Sequence, residues 1–445
     1  MRIAVTYSYR GKIGGIESYL DAVIKEFVRD GHEVSYWYEV KNDSTSEPIE
    51  LTEGVQASCV EELGVRRTVD SLRAWTPDII YSHGLLNTSL EDAILTVAPA
   101  VIFVHGYYGT CISGSKAFSR PNPAPCDRRF GSKCLLNYHV RGCGGLNPVT
   151  MIKEYNRQSH RLRSLQKYAA IVTASSHMKR EFIRNGVSSQ KVHQVSLPLG
   201  SRRERAAVET SNNGAANGHT VKRLAALVNG CDNESESDFA GIWRLLFLGR
   251  MTHLKGGEML LDALPTARKM LDRPLQVTFA GDGPDRKNWQ RKAERIQRHH
   301  AGLDITFPGW ISGFDLQTTL RNSDLLVMPS VWPEPFGLVG PEAGMFGVPA
   351  AAFNVGGIRD WLTDGVNGFL APGNPPTWEG LAEAIVKCLA DPNMYARLRA
   401  GAFEAAQRFS VESHLVALLE VFSHVTGRDF RSEAAQLTSG ASATA

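Results

Sequence analysis

Short apolar runs closed by glycine and followed by amphipathic stretches recur along this chain, and that alternation is what most limits its fold. Arg2–Thr6 reads as a strand. Gly11, Gly14 and Gly15 follow, then a helix from about Ile16 whose Tyr19, Leu20, Val23, Ile24, Phe27 and Val28 fall on one stripe. Gly31 is a natural stop. Strand-like runs recur at Val34–Tyr38, Asp78–Tyr81, Val101–His105, Ala170–Ala174 and Val192–Leu197. Residues 201–241, rich in Ser, Asn, Gly, Glu and Arg, interrupt the rhythm. It restarts with strands at Leu245–Leu248, Gln276–Ala280, Ile305–Phe307 and Leu325–Pro329, separated by helical segments. Strands alternating with helices predict α/β halves, each a parallel sheet covered on both faces.

The expected layout has five parts. Residues 1–200 form a Rossmann-like N-terminal domain carrying a Cys-containing basic insertion at 106–148. Residues 201–241 are a poorly ordered linker, and 242–409 form a second Rossmann-like domain. A terminal helix at 410–426 crosses back to the first domain, and 427–445 form a flexible tail. A chain of 445 residues is long enough for two such domains.

Composition excludes a disordered or fibrous chain: 43% of residues are hydrophobic and 21% charged. No apolar run approaches the ~20 residues that span a bilayer, and Met1–Tyr7 is no secretory segment, so a cytoplasmic setting is expected. The net charge of +3 hides an imbalance. Residues 116–167 hold eleven Lys or Arg against Asp127 and Glu154. On the helix expected near 149–167, Lys153, Arg157 and Arg161 form a row. The row is either a solvated face or a surface for an anionic partner, such as an anionic membrane or a phosphate-bearing acceptor. Nothing matches a nucleic-acid reading module, so no nucleic-acid partner is expected.

The chemistry concentrates in Trp332–Gly344, WPEPFGLVGPEAG. It follows a strand, leads into a helix, and holds Glu334 and Glu342 around Phe336-Gly337. Amides of such a turn suit an anion. Upstream, Arg250 and Lys255 follow another strand, where two cations suit a diphosphate. Gly14-Gly15 lets backbone approach a phosphate. No P-loop, no G-x-G-x-x-G and no Asp-x-Asp occurs, which argues against a P-loop NTPase or an ordinary NAD enzyme.

These residues resemble glycosyltransferase family 4, the retaining enzymes of GT-B fold. The resemblance covers about 1–200 and 242–425. It rests on Gly14-Gly15-Ile16-Glu17, Phe103-Val104-His105-Gly106, Gly249-Arg250 with Lys255-Gly256, and Gly281-Asp282-Gly283-Pro284. Glu334-Pro335-Phe336-Gly337 with Glu342, Gly356-Gly357-Ile358 and Asp364-Gly365-Val366-Asn367-Gly368 complete it. The resemblance implies two Rossmann-like doubly wound domains facing across a cleft, with acceptor on the N-terminal side and nucleotide-diphospho-sugar on the other. Arg250 and Lys255 would hold the diphosphate and Glu342 the ribose. Glu334 with the amides of Phe336, Gly337 and Leu338 would hold the donor sugar, with Gly15 beside it. His105 would lie at the anomeric carbon, and Trp310 and Ile311 near the base. The implied reaction is hexosyl transfer with retention and without a metal, the cations stabilising the leaving diphosphate.

Cys111, Cys126, Cys134 and Cys143 depart from the family pattern. Their spacing lacks a C-x₂-C knuckle, so a structural Zn²⁺, two disulfides and buried thiols remain open readings. No cofactor is expected for catalysis. The expected product is a surface polysaccharide or glycolipid intermediate, made on a glycan or lipid-linked acceptor by a cytoplasmic protein peripheral to the membrane. The alternatives are a soluble transferase making a small glycoside or sugar phosphate, and a non-catalytic nucleotide-sugar-binding protein.

Overall fold

The computed structural model describes residues 1–11, 14–41, 48–200 and 241–430. The expected linker therefore lies outside the described residues up to 240, as does the tail from 431. The chain divides into two compact units. The first comprises Met1–Gly114, Arg128–Arg203 and Phe409–Ala445, the second Ser115–Asp127 and Glu204–Arg408.

The first unit holds seven strands: β1 (Arg2–Tyr9), β2 (Glu33–Val40), β3 (Gln56–Cys59), β4 (Ile79–Ser82), β5 (Ala100–Val104), β6 (Ala170–Thr173) and β7 (Val192–Gln194). All pair in parallel, in the order β3-β2-β1-β4-β5-β6-β7. Ile3, Val5, Ile79, Ile80, Val101, Ile102 and Phe103 are inaccessible to solvent, as strands covered on both faces require. Helix α1 (Gly15–Arg29) follows β1. Its opening is fixed by Glu17, which accepts from the Gly14 amide at 2.9 Å and from Tyr7 Oη at 2.9 Å. Two further helices, α2 (Lys133–Val140) and α3 (Pro148–Leu165), stand between β5 and β6. Asn147 caps α3 by accepting from Val149 and Thr150, with Pro148 at its first turn.

The second unit repeats the plan with six parallel strands: β8 (Trp243–Leu248), β9 (Leu275–Ala280), β10 (Leu303–Gly309), β11 (Leu325–Met328), β12 (Ala350–Phe353) and β13 (Gly368–Ala371). Their order is β10-β9-β8-β11-β12-β13. Helix α4 (Gly257–Leu271) follows β8, and the six-residue α5 (Val339–Gly344) follows β11.

Helix α6 (Val411–Thr426) belongs to the first unit. His414 on it accepts from Tyr19 Oη at 2.8 Å, and Phe422 packs against Tyr81 and Phe27. Of the expected tail, the structure describes 427–430. Arg428 pairs with Asp78 at 2.6 Å, and Phe430 is 1% exposed. The expected insertion at 106–148 is also divided. Its segment Ser115–Asp127 belongs to the second unit, where Ser119 Oγ lies 3.3 Å from His253 Nε2, while its later part forms α2 in the first. Strands β12 and β13 are read poorly from sequence. AAAF and GFLA have little intrinsic β preference, and pairing with β11 imposes the extended form.

Candidate functional site

Both sheets change direction of winding beside their first strand, at β1/β4 and at β8/β11. Such switch points leave a crevice at the carboxyl ends of the strands, where α/β proteins bind ligands. The chemistry-bearing residues of each unit lie there.

In the second unit, β8 ends at Leu248 and Lys255 follows; β11 ends at Met328 and Glu334 follows. Lys255 Nζ donates to Glu334 Oε1 at 2.7 Å. Ser330 Oγ and Trp332 Nε1 donate to the same oxygen at 2.6 and 2.9 Å. Glu334 is only 3% exposed, so these donors compensate a carboxylate withdrawn from water. The approach of the two loops depends on Gly256. Its φ is 67°, and a Cβ there would stand 1.8 Å from the Pro329 carbonyl oxygen. Gly356 plays the same part behind Glu334, where a Cβ would come within 2.4 Å of the Glu334 backbone, and the Gly357 amide donates to the Glu334 carbonyl at 2.7 Å.

Arg250 is exposed at the end of β8, and the structure gives it no side-chain partner among the described residues. Gly337 has φ 85° and opens α5 with Leu338; the Glu342 amide donates to Leu338 O at 3.0 Å. The expected anion-binding helix start is thus only six residues long, and offers turn amides more than a helix dipole. Phe336 is buried, with its carbonyl held by Trp361 Nε1 at 2.8 Å. Trp310 and Ile311 follow β10, the sheet edge, two strands from β8; Trp310 is 71% exposed. No hydrogen bond or ring contact joins them to Lys255 or Glu334 among the described residues.

Two motifs explain themselves as architecture. Gly281 and Gly283 let the segments after β8 and β9 run closely side by side: Cβ atoms there would fall 2.1 and 2.4 Å from the Gly249 and Met251 carbonyls. In Asp364–Gly368, Asn367 is buried, accepts from the Thr363 amide and donates to Trp361 O, locking the turn before β13.

In the first unit, His83 follows β4 and His105 follows β5. His83 Nδ1 lies 2.9 Å from His105 Nε2. Burial holds both rings neutral: His105 falls to about 3, and His83 lies well below the ordinary imidazole range. Burial likewise lowers His414 to about 4. Its Nδ1 faces the Ser196 carbonyl at 2.7 Å and must donate, so Nε2 accepts from Tyr19 Oη, and Tyr81 Oη donates to Tyr19 at 2.5 Å. This buried relay fixes the floor beneath the histidine pair.

The pair opens on a cavity of about 380 Å³, lined also by Ile16, Tyr108, Arg157 and Arg161. The expected solvated row on α3 is thus partly internal: Arg161 is 8% exposed. From sequence, His105 and the row with Arg157 and Arg161 stand out, but not His83 or their meeting in one cavity. A histidine closing the strand next to that of His105, and bases spaced four apart at 157 and 161, were the available signals. At Gly15 a Cβ would meet nothing within 4 Å, and Gly14 has an extended φ of −166°, so no protein atom requires glycine at either. Among the described residues no group of three or more His, Cys, Asp or Glu is arranged to hold a metal. Of the four cysteines, Cys111 belongs to the first unit and Cys126 to the second, Cys134 lies in the first turn of α2 and Cys143 follows it.

Residues 13–198 match the family model for Glycosyltransferase Family 4, and 235–405 that for Glycosyl transferases group 1. D-inositol 3-phosphate glycosyltransferase of Xylanimonas cellulosilytica is 34% identical over 188 residues. That alignment spans 41% of this chain and 43% of the relative. HepE from Anabaena, solved with UDP and glucose, superimposes with a TM-score of 0.60 at 18% identity, covering 95% of this chain and 100% of its own. Sucrose-phosphate synthase from Thermosynechococcus elongatus gives 0.63 at 17%, covering 96% and 99%.

Proposed function

This chain belongs to the family 4-type glycosyltransferases and has their GT-B pair of parallel sheets, and from that premise we propose that it moves a hexose from a nucleotide-diphospho-sugar to an acceptor with retention at the anomeric carbon. The observation that carries the reading is the Lys255–Glu334 pair at the switch point of the second unit. The donor's anomeric C–O bond to the diphosphate breaks while an acceptor hydroxyl oxygen forms the new bond. The diphosphate leaves with the bonding electrons and takes the acceptor proton. Lys255 and Arg250 stabilise the charge that grows on it, in place of a metal. Glu334, the amides of Gly337 and Leu338, and Glu342 hold the donor's hydroxyls. His105 contributes a neutral ring to the sugar. The empty space at Gly15 leaves room for the donor's backbone-close approach.

The acceptor is proposed to be a lipid-linked or polysaccharide intermediate. What supports a membrane setting is a set of exposed apolar side chains, Leu136, Val140, Leu146, Val149 and Ile152, among the bases of 128–153. Apolar residues ringed by Lys and Arg suit an anionic bilayer surface. No helix among the described residues is long and apolar enough to cross a membrane.

Thermal shift against UDP-, GDP-, ADP- and dTDP-sugars tests the donor reading, since a ligand bound only by the folded state raises its melting point. One nucleotide sugar is expected to stabilise the chain and to be slowly hydrolysed without acceptor. Stabilisation without any turnover would favour a sensor, and no stabilisation by any of the four would remove the donor site.

A further inference from the structure

Glu334 carries more donors on one oxygen than that oxygen needs. Its Oε1 accepts from Ser330 Oγ at 2.6 Å, from Lys255 Nζ at 2.7 Å and from Trp332 Nε1 at 2.9 Å. A carboxylate oxygen offers about two lone-pair sites, so Oε1 holds one donor beyond its in-plane capacity. The other oxygen, Oε2, makes no hydrogen bond among the described residues. Glu334 is 3% exposed, so the chain rather than water sets where its donors stand.

The three donors are held differently. Ser330 and Trp332 lie four and two residues before Glu334 in the same loop. That loop is pinned from both sides. The Val331 amide donates to Leu254 O at 2.9 Å, and the Gly357 amide to Glu334 O at 2.7 Å. Ser330 is itself buried. Lys255 reaches Glu334 from 79 residues away, on a flexible four-carbon stem, and its side chain is 29% exposed. Its ammonium stands 5.6 Å from the centre of the Trp332 ring, and no acid other than Glu334 pairs with it among the described residues.

Taking a lysine away from a buried carboxylate leaves that charge uncompensated, which is costly. Here two fixed donors remain on Oε1, and a hydrogen bond to a charged acceptor is stronger than one between neutral groups. Lys255 is thus the surplus donor and the movable one. We propose that Trp332 and Ser330 are positioning residues: they keep hold of Oε1 when a diphosphate draws the Lys255 ammonium away, so that Glu334 stays in place with Oε2 left to accept from a hydroxyl of the donor sugar. Both act on the diphosphate through Glu334 and Lys255. This role rests on the transfer reading of the same site.

The test is a double-mutant cycle, read by calorimetric titration of the full chain with UDP, GDP, ADP and dTDP at fixed ionic strength. At least one of the four is expected to bind the wild-type chain. Trp332→Phe keeps an aromatic face beside Lys255 and deletes the N–H donated to Glu334, so Glu334 holds Lys255 more tightly. Affinity for that nucleotide is expected to fall about threefold or more. In a Glu334→Gln chain no carboxylate competes for Lys255, and the same substitution is expected to change affinity less than about twofold. A tryptophan that only supports the loop would weaken binding equally in both backgrounds. Ser330→Ala goes through the same cycle, which keeps the test open if Trp332→Phe fails to fold. Equal losses with and without the carboxylate, or undiminished affinity in the folded variants of a chain that binds a nucleotide, overturn the role and leave the transfer reading standing. A wild-type chain that binds none of the four removes the transfer reading and this role with it.

Discussion

The two units place their reactive groups by the same topology and neutralise them by opposite means. After β11, Glu334 is buried and its Oε1 receives Lys255, Ser330 and Trp332. After β4 and β5, His83 and His105 are buried as neutral rings, and Arg161 beside them is buried as a cation without an ion pair among the described residues. The first arrangement is complete within the chain and stands ready before a ligand arrives. The second sets the Arg161 guanidinium in the field of the buried Glu91 carboxylate, which accepts from the Tyr108 and Tyr168 hydroxyls. A switch point therefore fixes where a ligand binds, while the charge balance around it fixes what kind of ligand it is.

The contrast is broken or sharpened first at its glycines. Gly256→Ala puts a Cβ 1.8 Å from Pro329 O at a φ of 67°, and is expected to cost on the order of 3–5 kcal/mol in urea unfolding. Gly15→Ala meets no atom within 4 Å and is expected to leave unfolding within ~1 kcal/mol of wild type while donor turnover falls. Equal stability loss in both variants would mean that neither glycine is reserved for a ligand.

Next in size is the completed pair. Lys255→Ala is expected to lower turnover ~100-fold or more, as loss of one preorganised donor does. Arg250→Ala should act similarly without touching the fold, since Arg250 is exposed. Steady-state rates near wild type in both would detach these cations from the diphosphate.

The smallest effect is the pH response of the first unit. His414 falls to about 4 in the folded chain, below the ordinary value near 6.5. The unfolded chain then binds the proton first. Its contribution is full above about pH 6.5 and is lost as pH falls toward 4. The slope from one such group is at most ~1.4 kcal/mol per pH unit. His414→Gln should flatten the loss between those values in urea titrations at several pH values. An unchanged profile would show that the relay through Tyr19 does not carry it.

Much of the site was legible as motif. Lys255-Gly256, Glu334–Gly337, and Gly356-Gly357 mark loops that meet at one switch point, because only glycine permits the backbone approaches seen there. Gly281-Asp282-Gly283 and Asp364–Gly368 were legible as motifs too, but their work is to bring two strand ends close together and to lock a turn. His83 was not legible, and Arg161 was legible only as part of a basic row, its burial hidden. A histidine at a strand end and a base on an amphipathic helix read as ordinary until packing removes water from them.

The sequence by itself determined the alternation of strands and helices, the break between two α/β halves and the loops that carry chemistry. Those follow from local propensity, periodicity and glycine's conformational freedom, which act within a few residues. Tertiary structure alone decided which charges are paired, which rings are neutral and where Ser115–Asp127 belongs. Lys255 and Glu334 are 79 residues apart, and Arg161 reaches back 76 residues to Leu85. Charge compensation and burial depend on such distant neighbours, and only the folded chain brings them within reach.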